Sequence, residues 1–176
     1  MAALPVRKLN MKLRICSINI GGMSSRSLFM LDKYNDIKQF DIVAAQETGT
    51  TNTDNLAVTN MHEITDDNNA ENRGSVLYMK NAYSITKLQE LNRLSRNIDT
   101  SWGIAVIHNK RFIVGSVYLK LNYIEGIQEM ITMLTRANDL RLRIKATGVI
   151  VVGDLNARHT SWGDHMNNAY GKKLLD

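Results

Sequence analysis

Gly148-Val-Ile-Val-Val-Gly-Asp-Leu-Asn-Ala-Arg-His159 carries an apolar run straight into Asp154 and Asn156. Side chains two apart on an extended chain share a face, so Asp154 and Asn156 can reach one site while Leu155 turns into the core. The run reads as a buried strand that delivers an acid and an amide to its carboxyl end, where α/β proteins usually present their chemistry. Taken alone, the segment is equally well read as an Asp and an Asn that open a turn or cap a helix. The rest of the chain must choose between the two.

Just upstream, residues 124–146 place Ile127, Ile131, Leu134 and Ile144 on one long amphipathic helix, with Gly148 as its stop. Far upstream, residues 12–20 mix Leu13, Ile15, Cys16, Ile18 and Ile20 before Gly21-Gly22, the pattern of a largely buried strand closing on a turn. Ser24 or Ser25 then caps a helix whose apolar positions are Leu28, Leu31, Tyr34 and Ile37. Asp41-Ile-Val-Ala-Ala-Gln-Glu47 is a second apolar run ending in polar side chains, so strand, helix and strand make a crossover unit. Residues 48–60 and 65–73 are polar and read as exposed loops around a short strand at 61–64. Four β-rich segments follow, at 74–79, 83–88, 102–108 and 111–119, with His108-Asn-Lys-Arg111 as a hairpin turn between the last two. Their succession predicts an antiparallel region beside the crossover, and the whole order predicts a mixed α/β layered domain.

At 176 residues, 44% hydrophobic and 22% charged, the chain has the size and composition of one folded domain. Residues 1–11 read as an N-terminal extension and 12–176 as the domain. The single cysteine, Cys16, rules out an internal disulfide framework and reads as a small buried thiol rather than a nucleophile, in a reducing compartment. No apolar stretch approaches the ~20 residues that cross a bilayer, and the first residues lack a secretory core, so a soluble intracellular protein without a membrane partner is expected. A net charge of +5 and a pI near 9.4 favour a polyanionic partner. The densest cations, Arg136, Arg141, Arg143 and Lys145, read either as a solvated helix face or as a phosphate track.

Polar residues therefore close three apolar strands: Asn19 the first, Glu47 the second, Asp154 and Asn156 the last. A metal-dependent hydrolase needs that inventory. Mg²⁺ prefers oxygen ligands and keeps several waters, so one or two protein carboxylates suffice when a phosphate supplies the rest. Glu47 is then the principal metal ligand and Asp154 orients or deprotonates the attacking water. Asn156 and Asn19 donate to phosphate oxygens as charge develops there. His159, Asp164 and His165 offer a competing zinc reading, and Trp162 reads either as packing for its turn or as a stacking surface for a base.

In this order, Ser17-Ile-Asn19, Gln46-Glu47, Arg73-Gly74, Ser116-Val-Tyr118 and Gly153-Asp-Leu-Asn156 resemble the endonuclease/exonuclease/phosphatase superfamily, of the apurinic endonuclease and DNase I type. The resemblance implies a four-layer αββα sandwich of two mixed sheets. It implies that Asn19 and Glu47 sit at a metal, Mg²⁺ with Mn²⁺ as a substitute, and that Asn19, Arg73, Asn156 and Tyr118 contact the phosphate. Asp154 and Asn156 would flank the scissile bond, so that Asp154, Asn156 and Tyr118 form the catalytic set.

The continuation, Ala157-Arg-His-Thr-Ser-Trp-Gly163 and then Asn168-Ala-Tyr-Gly-Lys-Lys-Leu174, is similar to the endonuclease domain of non-LTR retrotransposons. That likeness implies a DNA partner, nicking of target DNA in the nucleus, and a reverse transcriptase domain in a longer parent polyprotein. The family pattern closes with Ser-Asp-His on a final strand, and none of the four histidines here follows Ser-Asp. The resemblance accordingly implies a domain incomplete at its C-terminus, with its last strand or strands missing. Two other functions stay open: a phosphomonoesterase or phospholipid phosphodiesterase of the same superfamily, and a non-catalytic DNA-binding relic.

Overall fold

The computed structural model describes residues 12–49, 57–65, 74–91, 97–121 and 125–175. Strand β1 (Ile15–Asn19), helix α1 (Ser25–Lys38) and strand β2 (Ile42–Gln46) form the expected crossover, with β1 and β2 parallel from Ile15 opposite Ile42 to Asn19 opposite Gln46. Ser24 caps α1, its side chain accepting from Ser27 N at 3.1 Å, an interaction worth about 1 kcal/mol. The left-handed Gln39, at φ 54°, ends the helix.

Strands β3 (Met61–Thr65) and β4 (Ser75–Lys80) complete a four-stranded sheet in the order β1-β2-β4-β3. A second sheet, in the order β5-β6-β7-β8, takes β5 (Ser84–Lys87), β6 (Ile98–Ile107), β7 (Lys110–Leu119) and β8 (Gly148–Asp154). The four successive β-rich segments thus do not share one sheet. The first pairs with β2 of the crossover, and the chain changes sheets between Lys80 and Ser84. His108 and Asn109, both left-handed at φ 49° and 63°, make the two-residue turn between β6 and β7. β7 and β8 run parallel, joined by α2 (Glu125–Arg143), and α3 (Ala169–Leu175) follows β8.

Alternation along each strand builds the layers. Val43, Ala45, Val76 and Tyr78 face one way and pack with Leu31 of α1. Ile42, Leu77 and Met79 face the other way, against Ala105, Ile107 and Val114 of the second sheet. On the far side of that sheet, Trp102, Ile113 and Val117 meet Met130, Met133, Ala137 and Leu140 of α2. The result is the four-layer αββα sandwich that the motifs imply.

Three expectations need correction. Among the described residues β1 and β8 are the outermost strands on one side of their sheets, and half-exposed: Ile15 is 39% and Val151 37% accessible. An apolar run therefore does not distinguish an edge strand from a central one here. Helix α1 buries Leu31 and Asn35, whereas Tyr34 and Ile37 face solvent, because the inward row is completed by a polar residue whose amide reaches Thr59 O. On α2 the buried row runs through Ile127, Met130, Met133, Ala137 and Leu140, leaving Ile131 exposed. The flexible methionines supply the apolar stripe in place of the branched residues. No helix among the described residues is long and apolar enough to cross a membrane.

Candidate active site

The carboxyl ends of β1, β2, β7 and β8 converge at one end of the sandwich. Asn19 closes β1 and Asp154 closes β8, 135 residues apart in sequence, and Asn19 Nδ2 donates to Asp154 Oδ2 at 2.9 Å. The same nitrogen donates to Glu47 Oε1 at 3.0 Å. Tyr118 Oη also donates to Glu47 Oε1, at 2.6 Å, and Tyr118 is the strand partner of Asp154. Four residues singled out from the sequence, Asn19, Glu47, Tyr118 and Asp154, are thus joined by hydrogen bonds across both sheets.

Alternation alone would not put Glu47 there. Gln46, its neighbour, already points between the sheets, so an extended Glu47 would face α1. The backbone instead turns left-handed at Glu47, φ 53°, and the carboxylate swings to the Gln46 side. A non-glycine residue in that region costs on the order of 1–3 kcal/mol and persists only where its surroundings hold it. Tyr118 and Asn19 are that hold.

Asn156 lies beyond the end of β8 and is also left-handed, φ 49°, so the two-residue alternation that would align it with Asp154 does not apply. Its backbone N–H donates to Asp154 Oδ1 at 2.9 Å and fixes that carboxylate. One N–H of its side chain donates to Leu119 O at 2.8 Å, tying the turn to the end of β7. Arg73 lies outside the described residues.

Beneath the site runs a polar seam that sequence reasoning missed. Ser17 Oγ donates to Gln46 Oε1 at 3.4 Å, Gln46 Nε2 to Ser116 Oγ at 3.3 Å, and Ser75 Oγ to Ser116 Oγ at 2.6 Å. Gln46, Ser75 and Ser116 are buried, and they tie the sheets together one residue below Glu47. Their signal was available: each is a polar residue at the end of, or inside, an otherwise apolar strand, where it must find a partner.

Asn19 Oδ1 accepts from Gly21 N at 3.1 Å, so in this geometry Asn19 presents nitrogen to both carboxylates. Two carboxylates that share one amide donor are an all-oxygen acidic pair, the donor chemistry that suits a hard divalent cation completed by water and phosphate. Among the described residues no three His, Cys, Asp or Glu side chains come together, either at this pair or at His159, Asp164 and His165, so the zinc reading lacks its ligand set. His159 Nδ1 accepts from Ser161 N at 3.1 Å, and His165 Nδ1 lies 3.0 Å from Asp164 Oδ1. Burial pushes the Cys16 thiol up, which argues against a nucleophilic thiolate.

The sequence matches no protein-family model and none of the curated proteins. Solved structures are similar in fold. The endonuclease domain of TRAS1, a telomere-specific non-LTR retrotransposon, superposes with a TM-score of 0.70 at 14% identity, over 93% of this chain and 68% of that one. The AP endonuclease LMAP from Leishmania major gives 0.63 at 14% identity, over 92% of this chain and 60% of that one. A mannosyl-6-phosphatase from Bacteroides thetaiotaomicron gives 0.60 at 12% identity, over 85% and 67%. The chain therefore shares the DNase I-like fold of these structures, and it spans about two thirds of their length.

Proposed function

We propose that this chain is a metal-dependent phosphodiesterase domain that nicks DNA. The observation that carries the reading is the junction of Glu47 from one sheet with Asp154 from the other, bridged by Asn19 Nδ2 and braced by Tyr118 Oη. An acid poised beside a second acid at the strand ends of this fold is what hydrolysis of a phosphodiester requires: a cation holder and a proton acceptor.

Glu47 would hold Mg²⁺, or Mn²⁺ in its place, with Asn19 beside it; bound there, the cation neutralises charge on the phosphate. Asp154, its Oδ1 fixed by the Asn156 N–H, accepts the proton of the attacking water. The second N–H of Asn156 and Arg73 would donate to the phosphate oxygens as negative charge grows, and Asn19 and Tyr118, whose donors hold the carboxylates here, would turn to the phosphate once a cation occupies Glu47. A net charge of +5 suits a polyanionic strand. The fold likeness to the endonuclease domain of a non-LTR retrotransposon supports the nuclease reading; nicking of target DNA in the nucleus, beside a reverse transcriptase, is the role that reading extends to.

Supercoiled-plasmid nicking tests this. Activity that requires added Mg²⁺ and falls about 10²- to 10⁴-fold in Glu47→Ala and in Asp154→Ala is the expected result. Nicking unaffected by either substitution removes the assignment. Hydrolysis of a sugar or inositol phosphate without nicking shifts the leaving group and favours a phosphatase, a reading that the shared fold with a mannosyl-6-phosphatase supports. DNA binding without any turnover favours a binding module.

A further inference from the structure

The turn that follows Asn156 is braced far more heavily than a connection needs. Asn168 alone serves five bonds: its N donates to Arg158 O at 3.0 Å, its Nδ2 to Asn156 O at 2.7 Å, its Oδ1 accepts from Arg158 N at 3.0 Å and Gly171 N at 2.8 Å, and its O accepts from Lys172 N at 3.1 Å. Asn167 Oδ1 accepts from Thr160 N at 2.7 Å. Helix α3 lies so close that a Cβ on Gly171 would stand 1.9 Å from Arg158 O. The turn is a rigid shelf.

On that shelf Trp162 is 48% exposed. Its ring stands 5.3 Å from that of His159, at 52° to it, and His159 is held in turn by capping Ser161 N. The indole is thus not the packing element that its turn could have used; the backbone bonds of Asn167 and Asn168 already do that work. The same turn and the helix after it carry exposed cations: Arg158 on the turn, and Lys172 and Lys173 on α3.

We propose that His159 and Trp162 form a stacking platform for an unstacked nucleobase of the strand whose phosphate lies at Asp154. The proposal rests on the phosphodiesterase reading of that site. His159 follows Asn156 by three residues, so the two Cα atoms lie within about 11 Å, roughly three base steps at 3.4 Å rise. A base displaced from the duplex near the scissile phosphate would meet an aromatic face, with a cation on the same turn for the backbone, the combination that binds single-stranded nucleic acid without sequence preference.

Tryptophan emission reads the platform directly, because the other tryptophan, Trp102, is fully buried. The chain is titrated with a short phosphorothioate oligothymidylate, and separately with an oligomer of equal length and charge that carries no bases. The base-bearing oligomer is expected to quench the exposed indole, and the abasic one to leave it unchanged. Trp162→Ala weakens binding of the base-bearing oligomer by roughly tenfold, and Trp162→Phe restores most of it. Equal quenching by both oligomers, quenching by neither, or unchanged affinity in Trp162→Ala overturns the platform. Plasmid nicking by the unaltered chain is scored apart. Nicking without base-dependent quenching sinks the platform alone, whereas base-dependent quenching without nicking sustains it and sinks the cleavage reading.

Discussion

Single residues here often do their work by holding another residue. Lys120 Nζ lies 3.0 Å from Asp99 Oδ1, with the two side chains only 14% and 2% exposed, at the end of β7 from which Tyr118 reaches the site. Removing one partner of a buried pair strands the other charge. Lys120→Met, which keeps the aliphatic stem, is expected to cost about 3–5 kcal/mol in urea denaturation, and Asp99→Asn in the same chain should return part of it. A loss under about 1 kcal/mol, the level of a surface pair, would show that Asp99 is satisfied without the ammonium. The candidate site itself was readable at this scale, since Asn19, Glu47, Tyr118 and Asp154 each stand at or near the end of an apolar run and do meet. The direction of Glu47 was not readable. It depends on a left-handed backbone that tertiary partners hold, Tyr118 and Asn19 at the carboxylate and Gly22 N at the carbonyl.

Among the elements, β8 shows why a glycine precedes the acid. Gly153 pairs with Val117 in the parallel ladder, and a Cβ at Gly153 would stand 1.8 Å from Val117 O. Gly153→Ala must push β8 away from β7, and Asp154 with it. The expected result is a loss of several kcal/mol in thermal or urea unfolding and a drop in nicking larger than the folded fraction explains. An unchanged melting point would mean that the two strands are less closely paired. Element existence was largely legible from periodicity, down to the Ser24 cap and the hairpin at His108 and Asn109. Helix faces were not, because Asn35 on α1 and Met130 and Met133 on α2 occupy inward positions that a search for branched aliphatics passes over. Sheet membership was equally hidden: β4 and β5 are neighbours in sequence, yet their pairing is decided by β2 and β6.

For the whole molecule, the decisive contact is sheet against sheet. Apolar packing of Ile42, Leu77 and Met79 on Ala105, Ile107 and Val114 supplies the bulk of it without fixing a register, whereas the Gln46, Ser116 and Ser75 hydrogen bonds do fix one. Gln46→Leu keeps the volume and deletes those bonds. It should lower stability by about 1–3 kcal/mol and lower nicking as well, through misplacement of Glu47. Tyr118→Phe is the companion variant, expected to lower nicking with the melting point nearly kept; if Gln46→Leu leaves both measurements untouched, the seam is incidental. The location of Asn19 and Asp154 has a further consequence for durability. Among the described residues both sit on strands whose ladders are paired on one side only, the kind that fray first. Partial opening of either rim separates the amide from the carboxylate while the interior strands stay paired, so the constellation can come apart before the sheets do.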